Sequence, residues 1–294
     1  MSAMTQAAGS AKVRADSPTR LALRHFARNK VAMVALGVLI VLVCVAFFAG
    51  PIAPHDPLTV LAGESLKPPS AARPMGTDLL GRDVLSRVIH GGRASLLVGF
   101  VAVAISASVG VLLGLAAGYF GRRVDNVIMR FIDMLLAFPG ILLALTIVAF
   151  LGPGLTNTMI AVGISLIPNF ARLVRGSVLS IKESLYVQAA ECVGCGHGRI
   201  MFRHILPNAL APVLVLASLA YGWSILNAAG LSFLGLGAQP PTPEWGLMLS
   251  DGRGLLREAP WLTIFPGLAI MTTVLSANLV GDALRDALDP RLRL

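Results

Sequence analysis

The sequence predicts an all-α membrane protein with six transmembrane helices, and three observations carry that prediction. Hydrophobic residues make up 55% of the 294-residue chain and charged residues only 13%, about half the roughly 25% of a soluble globular chain. The mean hydropathy is +0.77 and is concentrated in six apolar stretches, most of them able to cross ~30 Å of hydrocarbon at ~1.5 Å per residue. Lys and Arg are unevenly shared between the segments that separate those stretches. The same composition excludes a disordered chain, a collagen-like fibre and a disulfide-rich module.

The first stretch, 31–50, holds no charge and follows Arg28 and Lys30. It is longer than the apolar region of a signal peptide, and AFFAGP lacks a small-x-small cleavage pattern, so it reads as an uncleaved anchor. Residues 1–30 before it form an N-terminal tail, with the polar residues 1–20 expected to be flexible. Segment 51–94 is a loop in which Asp78, Arg82, Asp83 and Arg87 recur at helix-like spacing. Ion pairs at i, i+4 on an interfacial helix explain that spacing; contact with a partner protein is the other reading.

The second stretch runs over 95–118 and the third over 132–151. The fourth, 155–170, is short and carries Pro168 and Asn169, so five spans is the alternative count. The fifth covers 209–230 and the sixth 261–280, leaving 282–294 as a C-terminal tail. Between the last two stretches, QPPTPEWG reads as a proline-fixed turn with Trp245 as an interface anchor.

Six spans put both ends on one side, and 17 of the 24 Lys and Arg residues then fall on the side of the termini. The positive-inside rule makes that side the cytoplasm. Acidic residues divide almost evenly, so the formal charge of +9 is a cytoplasmic charge. Spread over four segments as an orientation signal, it does not read as a nucleic-acid footprint.

No ionisable side chain lies near the middle of any stretch; Asp133 and Asp282 sit at cytoplasmic ends, and Asn227 and Asn278 are polar but uncharged. A transporter driven by an ion gradient keeps such groups for its task. A phosphate-binding G-x-x-x-x-G-K-[ST] loop is also missing, because the four lysines follow Ala11, Asn29, Leu66 and Ile181. Driving energy must therefore enter through another subunit, or the protein is a passive channel or scaffold. Cys192-x-x-Cys195 lies near His197 and His204, but there is no second C-x-x-C and the histidine spacing is wrong for zinc, so small packed thiols are favoured over a metal site.

Segment 172–208 is the most informative. It reads as a cytoplasmic loop with two short helices, broken at residues 194–198, the second closed by Pro207. In the first, Tyr186, Ala189, Ala190 and Val193 share a helical face. Paired alanines allow another backbone to come close, and Gly194 suits a φ > 0 reversal. A solvated loop helix without a partner fits the same pattern.

YVQAAECVGCGHGRIMFRHILPN resembles the EAA loop of bacterial ATP-binding cassette (ABC) importer permeases. Ala189 and Ala190 match the alanines, Gly194 the glycine and Leu206-Pro207 the ending, while Gln188 stands where many families have glutamate. GTDLLGRDVLSRVIHGGR at 76–93, LSFLGLGAQPPTPEWGLMLSDGR at 231–253 and GDALRDALDPRLR at 281–293 are similar to the peptide/nickel branch, and specifically to its second, shorter permease.

That resemblance implies a type I importer permease bundle, with a permease core over 95–281. It also implies a homologous permease partner, two ATP-binding subunits that use ATP and Mg, an extracytoplasmic solute-binding protein, and no cofactor on this chain. Tyr186, Gln188, Ala189, Ala190, Glu191, Gly194, Arg203, His204 and Pro207 would meet an ATP-binding subunit. Asp78, Arg82, Asp83, Arg87 and Trp245 would face the binding protein or the partner permease. Family members carry di- and oligopeptides, nickel chelates, glutathione and other solutes, with peptides the first expectation.

Overall fold

A computed structural model describes residues 24–288; the expected flexible tail at 1–20 lies outside them. From Lys30 onward the α-helices in chain order are α1 Lys30–Phe47, α2 Ala49–Ile52, α3 Val84–Phe120, α4 Arg122–Leu136, α5 Gly140–Leu151, α6 Leu155–Lys182, α7 Leu185–Cys192, α8 His197–Arg199, α9 Leu206–Phe233, α10 Trp245–Gly252 and α11 Trp261–Leu288. Five spans are long and apolar enough to cross a membrane by themselves: α1, α3, α6, α11 and the stretch from α8 into α9. The pair α4 and α5, bent by 89° at its break, would make a sixth. Six crossings bring Lys30 and Leu288 to the end of the bundle that carries α7, here the loop end. Residues 53–83 and 234–260 cover the opposite, cap end.

The bundle centres on α3 and α6. Gly110, Gly114 and Gly118 recur every fourth residue along one face of α3, so α6 comes close enough that a Cβ on Gly114 would lie 2.4 Å from the Ala171 carbonyl oxygen. Small residues at this spacing are how membrane helices gain van der Waals contact where lipid gives no hydrophobic driving force. Around this seam Leu115, Phe170, Val174 and Val178 are fully buried. α9 packs on α11 through Gly222, against Asn278 and Val274, and Gly281, against Ser218 and Leu219. α1 lies at the edge and buries only Ala32, Ala35 and Ala46.

Several boundaries differ from the sequence reading. No helix covers residues 78–83, where an interfacial helix was expected; Asp83 caps α3, accepting a bond from the Ser86 N–H at 2.9 Å, and the helix runs unbroken from Val84. Its 37 residues give about 55 Å at ~1.5 Å per residue, so it projects beyond the hydrocarbon. The third span is broken at Phe138-Pro139-Gly140, because proline disfavours helical backbone in the residue before it. α4 is strongly amphipathic, with Arg122, Arg123, Asp125, Arg130 and Asp133 in its 15 residues.

The fourth span, the shortest by sequence, is a 28-residue helix that continues through Arg172 and Arg175 to Lys182. The loop therefore starts at Glu183. Pro207 closes nothing: it sits in the first turn of α9, where a missing N–H is tolerated, and the chain passes into α9 through the wide helical turn Ile200–Ile205. α11 likewise continues past Val280 to Leu288, into the expected C-terminal tail.

Candidate functional site

At the loop end, α7 stands on a base built by α3, α6 and the turn before α9. Val187 and Ala190, three residues apart, point into a core with Ile200, Met201, Ile205, Val178 and Tyr119. The expected face of Tyr186, Ala189, Ala190 and Val193 is thus divided. Ala190 docks inward, while Tyr186, Ala189 and Val193 stay exposed. Leu185 is 83% and Val193 79% exposed, so the outer side of α7 is an open apolar strip around the small Ala189.

The strip is held by specific bonds. Gly194 has φ +78°, and its N–H donates to the Glu191 carbonyl at 2.9 Å while the Cys195 N–H donates to Ala190 at 3.0 Å. These are the two bonds of a Schellman ending, which needs a left-handed residue at this position. Tyr186 Oη donates to the His204 carbonyl at 3.3 Å, and Asn208 Nδ2 donates to both Tyr186 Oη (2.9 Å) and the same carbonyl (2.7 Å). α7 is thereby tied to the start of α9.

A second tie reaches α3: Tyr119 Oη lies 2.7 Å from His197 Nδ1, and Lys182 Nζ donates to the Tyr119 carbonyl at 2.8 Å. Gln188 Nε2 donates to the Glu183 carbonyl, and Glu191, Arg203 and Pro207 are exposed around the strip. Among the described residues, no His, Cys, Asp or Glu group of three is placed to hold a metal. Cys192 is exposed and Cys195 packs half-buried against the base.

At the cap end the residues expected to meet partners turn inward. Asp78 Oδ2 pairs with Arg82 Nε at 2.6 Å and lies 3.6 Å from Arg87 Nε. The i, i+4 pair exists, but on a turn: Asp78 Oδ1 accepts from the Leu80 and Arg82 N–H groups, each at 2.9 Å. Arg87 is 2% and Asp83 1% exposed. Among the described residues Asp83 Oδ1 has no hydrogen-bond partner; Arg73 is 3.9 Å away.

Trp245 is no surface anchor either. It is 2% exposed, its Nε1 donates to the Val88 carbonyl at 2.9 Å, and its ring packs on Gly91 and Gly92. Glu244, unremarked in the sequence reading, is the buried keystone: it accepts from Ser95 Oγ and from the Gly246 and Leu247 N–H groups. A cavity of about 350 Å³ lies between the cap and the bundle, lined by Asp78, Arg82, Arg87, Pro240, Met248 and Asp251. Desolvation against that wall raises the Asp251 pKa, with Arg87 and Arg82 pulling it back.

The bundle of candidate membrane-spanning helices with a projecting, braced helix at one end is shared, at the level of fold, with two solved structures. The MetNI methionine ABC transporter, in inward-facing conformations, contains a chain that superposes with TM-score 0.57 at 17% identity, covering 69% of this chain and 96% of that one. A chain of an amino acid ABC transporter crystallised with histidines gives 0.53 at 17% identity, over 68% and 93%.

Residues 110–294 match the family described as binding-protein-dependent transport system inner membrane component, and residues 17–69 match the N-terminal TM domain of oligopeptide transport permease C. The chain belongs to this family of inner-membrane transport permeases and is a multi-pass inner-membrane protein. Relatives include the dipeptide transport system permease protein DppC of Alkalihalophilus pseudofirmus, 48% identical over 95% of this chain and 92% of its own. The glutathione transport system permease protein GsiD of Pectobacterium atrosepticum is 47% identical over 94% and 92%.

Proposed function

We propose that this chain is a translocation subunit of an ATP-driven importer of di- and oligopeptides, and that α7 receives the force of ATP hydrolysis. In this reading it pairs with a homologous permease. Two ATP-binding subunits, which hold ATP and Mg, dock at the loop end, and an extracytoplasmic binding protein delivers the solute at the cap end. Both termini and α7 lie in the cytoplasm, and the chain itself carries out no chemistry.

The observation that carries the reading is the exposed strip of Leu185, Ala189 and Val193 on a helix braced to α3, α6 and α9. An apolar strip in water calls for a protein surface to cover it, and a helix tied to three spans passes a push into the bundle as a rigid element. The excess of basic residues on the loop side supports its cytoplasmic placement.

Curated relatives named for dipeptide, di/tripeptide and glutathione transport support a peptide-like solute. Glutathione is itself a tripeptide with one unusual linkage, so the second reading differs from the first in substrate and not in mechanism. The test is co-purification with uptake: Gly194→Arg in the complete importer should weaken ATP-binding-subunit association and ATP-dependent peptide uptake together. If both stay unchanged, the role assigned to α7 is wrong. The ligand retained by the cognate binding protein separates ordinary peptides from glutathione.

A further inference from the structure

The first span, α1, buries residues only near its two ends: Ala32 and Ala35 toward the loop end, and Ala46 toward the cap. Ala46 packs on Gly92 of α3, where a Cβ would lie 3.3 Å from the Ala46 methyl. Below that contact α1 stands away from the bundle and leaves a groove of about 790 Å³. Its walls include Leu39 and Val43 of α1, Leu97 and Phe100 of α3, Tyr221 of α9 and Val280 of α11. Among the described residues, Arg93 is the one charged group on this wall, and it stands at the cap end.

The groove has the depth of one leaflet. α1 has 18 residues, about 27 Å at ~1.5 Å per residue, so Lys30 and Phe47 mark the two faces of a hydrocarbon layer of ~30 Å. Leu39 lies eight positions before Phe47, about 12 Å deeper and close to the ~15 Å of half that layer.

Arg93 is fixed at the boundary. Its Nη2 donates to the Phe47 carbonyl at 2.9 Å. That carbonyl lacks a helical donor because residue 51, four places on, is proline. The Arg93 side chain is exposed, and its Nε and Nη1 groups have no partner among the described residues, acidic or neutral. A guanidinium held in place with open N–H groups matches a pair of phosphate oxygens. Lipid tails and a partner's apolar side chains fill an apolar groove equally well, but an apolar partner surface over the whole groove would leave this cation unpaired at a cost. A phospholipid fills the groove and pairs the cation together.

We propose that the groove is a binding site for one anionic phospholipid of the cap-side leaflet, with its phosphate on Arg93 and an acyl chain between α1 and the wall of α3, α9 and α11. In a zwitterionic lipid the headgroup's own ammonium competes for the phosphate; in phosphatidylglycerol nothing else neutralises it. The lipid joins α1 to the bundle over the stretch where protein contact is missing. The site depends on the membrane placement of these helices and not on the solute carried.

The test uses the complete importer purified in a neutral detergent, with native mass spectrometry reading the binding of phosphatidylglycerol and phosphatidylcholine in parallel. The unaltered complex should hold one phosphatidylglycerol about tenfold more tightly than phosphatidylcholine, the difference expected of one charge-assisted contact. Arg93→Gln should bring the two lipids to within about twofold of each other. Leu97 is 50% exposed, so Leu97→Trp can fill the groove without disturbing the core, and it should displace the lipid with Arg93 still in place. A photoreactive amino acid at position 97 should label phosphatidylglycerol.

The proposal is overturned if the unaltered complex shows no preference between the two lipids, or if either variant keeps phosphatidylglycerol as the unaltered complex does. It is overturned equally if the group at position 97 labels the partner permease instead, since protein then covers the groove.

Discussion

Replacing Gly194 by alanine isolates the backbone geometry on which α7 depends. Gly194 sits at φ +78°, and a Cβ there would meet no atom within 4 Å, so the substitution introduces no clash. What remains is the penalty for holding an L-residue left-handed, about 1–2 kcal/mol, or a roughly 5- to 30-fold shift away from the braced ending. Gly196 is the matched control: it lies two residues on, also faces open space, and has φ −65°, which alanine adopts without strain. The assay is the apparent affinity of purified ATP-binding subunits for the permease pair in nanodiscs. Gly194→Ala should weaken it about 5- to 30-fold, Gly196→Ala by less than about twofold, and Gly194→Asn should recover part of the loss because asparagine tolerates the left-handed region. Equal behaviour of the two alanine variants would refute the claim that the Schellman ending sets the presentation of α7.

The cap and the central seam give further tests, each read as the thermal midpoint of the detergent-solubilised complex. Trp245→Phe removes the bond to the Val88 carbonyl at a cost of about 1 kcal/mol, whereas Trp245→Ala also empties the space over Gly91 and Gly92 and should cost about 3–5 kcal/mol. A surface anchor would instead leave the midpoint unmoved. Gly114→Ala places a methyl 2.4 Å from the Ala171 carbonyl oxygen and should cost about 1–3 kcal/mol by forcing α3 and α6 apart; an unchanged midpoint would mean that the seam is looser than it looks. Asp78→Asn strips the anion from buried Arg82 and Arg87, and removing one member of such a cluster costs about 3–5 kcal/mol. A stabilised protein would show that the arginines find other partners.

How much of this was readable in the sequence follows from which forces act locally. Hydrophobic run length marks the crossings because the bilayer imposes it segment by segment, and Gly194 was readable because a glycine ending a short helix has a specific backbone use. The extension of α6 was not readable in the same way. Arg172 and Arg175 looked like charges beyond a span, and only the fold brings Asp133 and Asp125, some 40 to 50 residues earlier, to pair with them.

The cap misled for a related reason. Asp78 and Arg82 do pair at i, i+4, but a turn makes the same spacing as a helix, and nothing local says that Glu244 and Trp245 will close over Ser95 and Val88 from about 150 residues away. The break of α4 from α5 does have a local signal, Pro139-Gly140, hidden inside an otherwise apolar run. The glycines at 110, 114 and 118 were equally visible; their four-residue repeat is the signature of a close helix pair.

The α7 face was half readable. Helical periodicity puts Tyr186, Ala189, Ala190 and Val193 on one face, but it cannot tell which edge of the group meets the subunit's own core. The structure buries Val187 and Ala190 and leaves Tyr186, Ala189 and Val193 open. That division favours coupling, since the helix is anchored by one side and free on the other.

The central claim is that the energy of ATP enters through the exposed face of α7, and a site-specific cross-link tests it most directly. A photoreactive amino acid at position 189, in the assembled importer, should form an adduct between this chain and an ATP-binding subunit, while the same group at Ile141 on α5, exposed among the spans, should not. If position 189 yields no such adduct in a complex that still imports peptide at the expense of ATP, the coupling site lies elsewhere and the account is wrong.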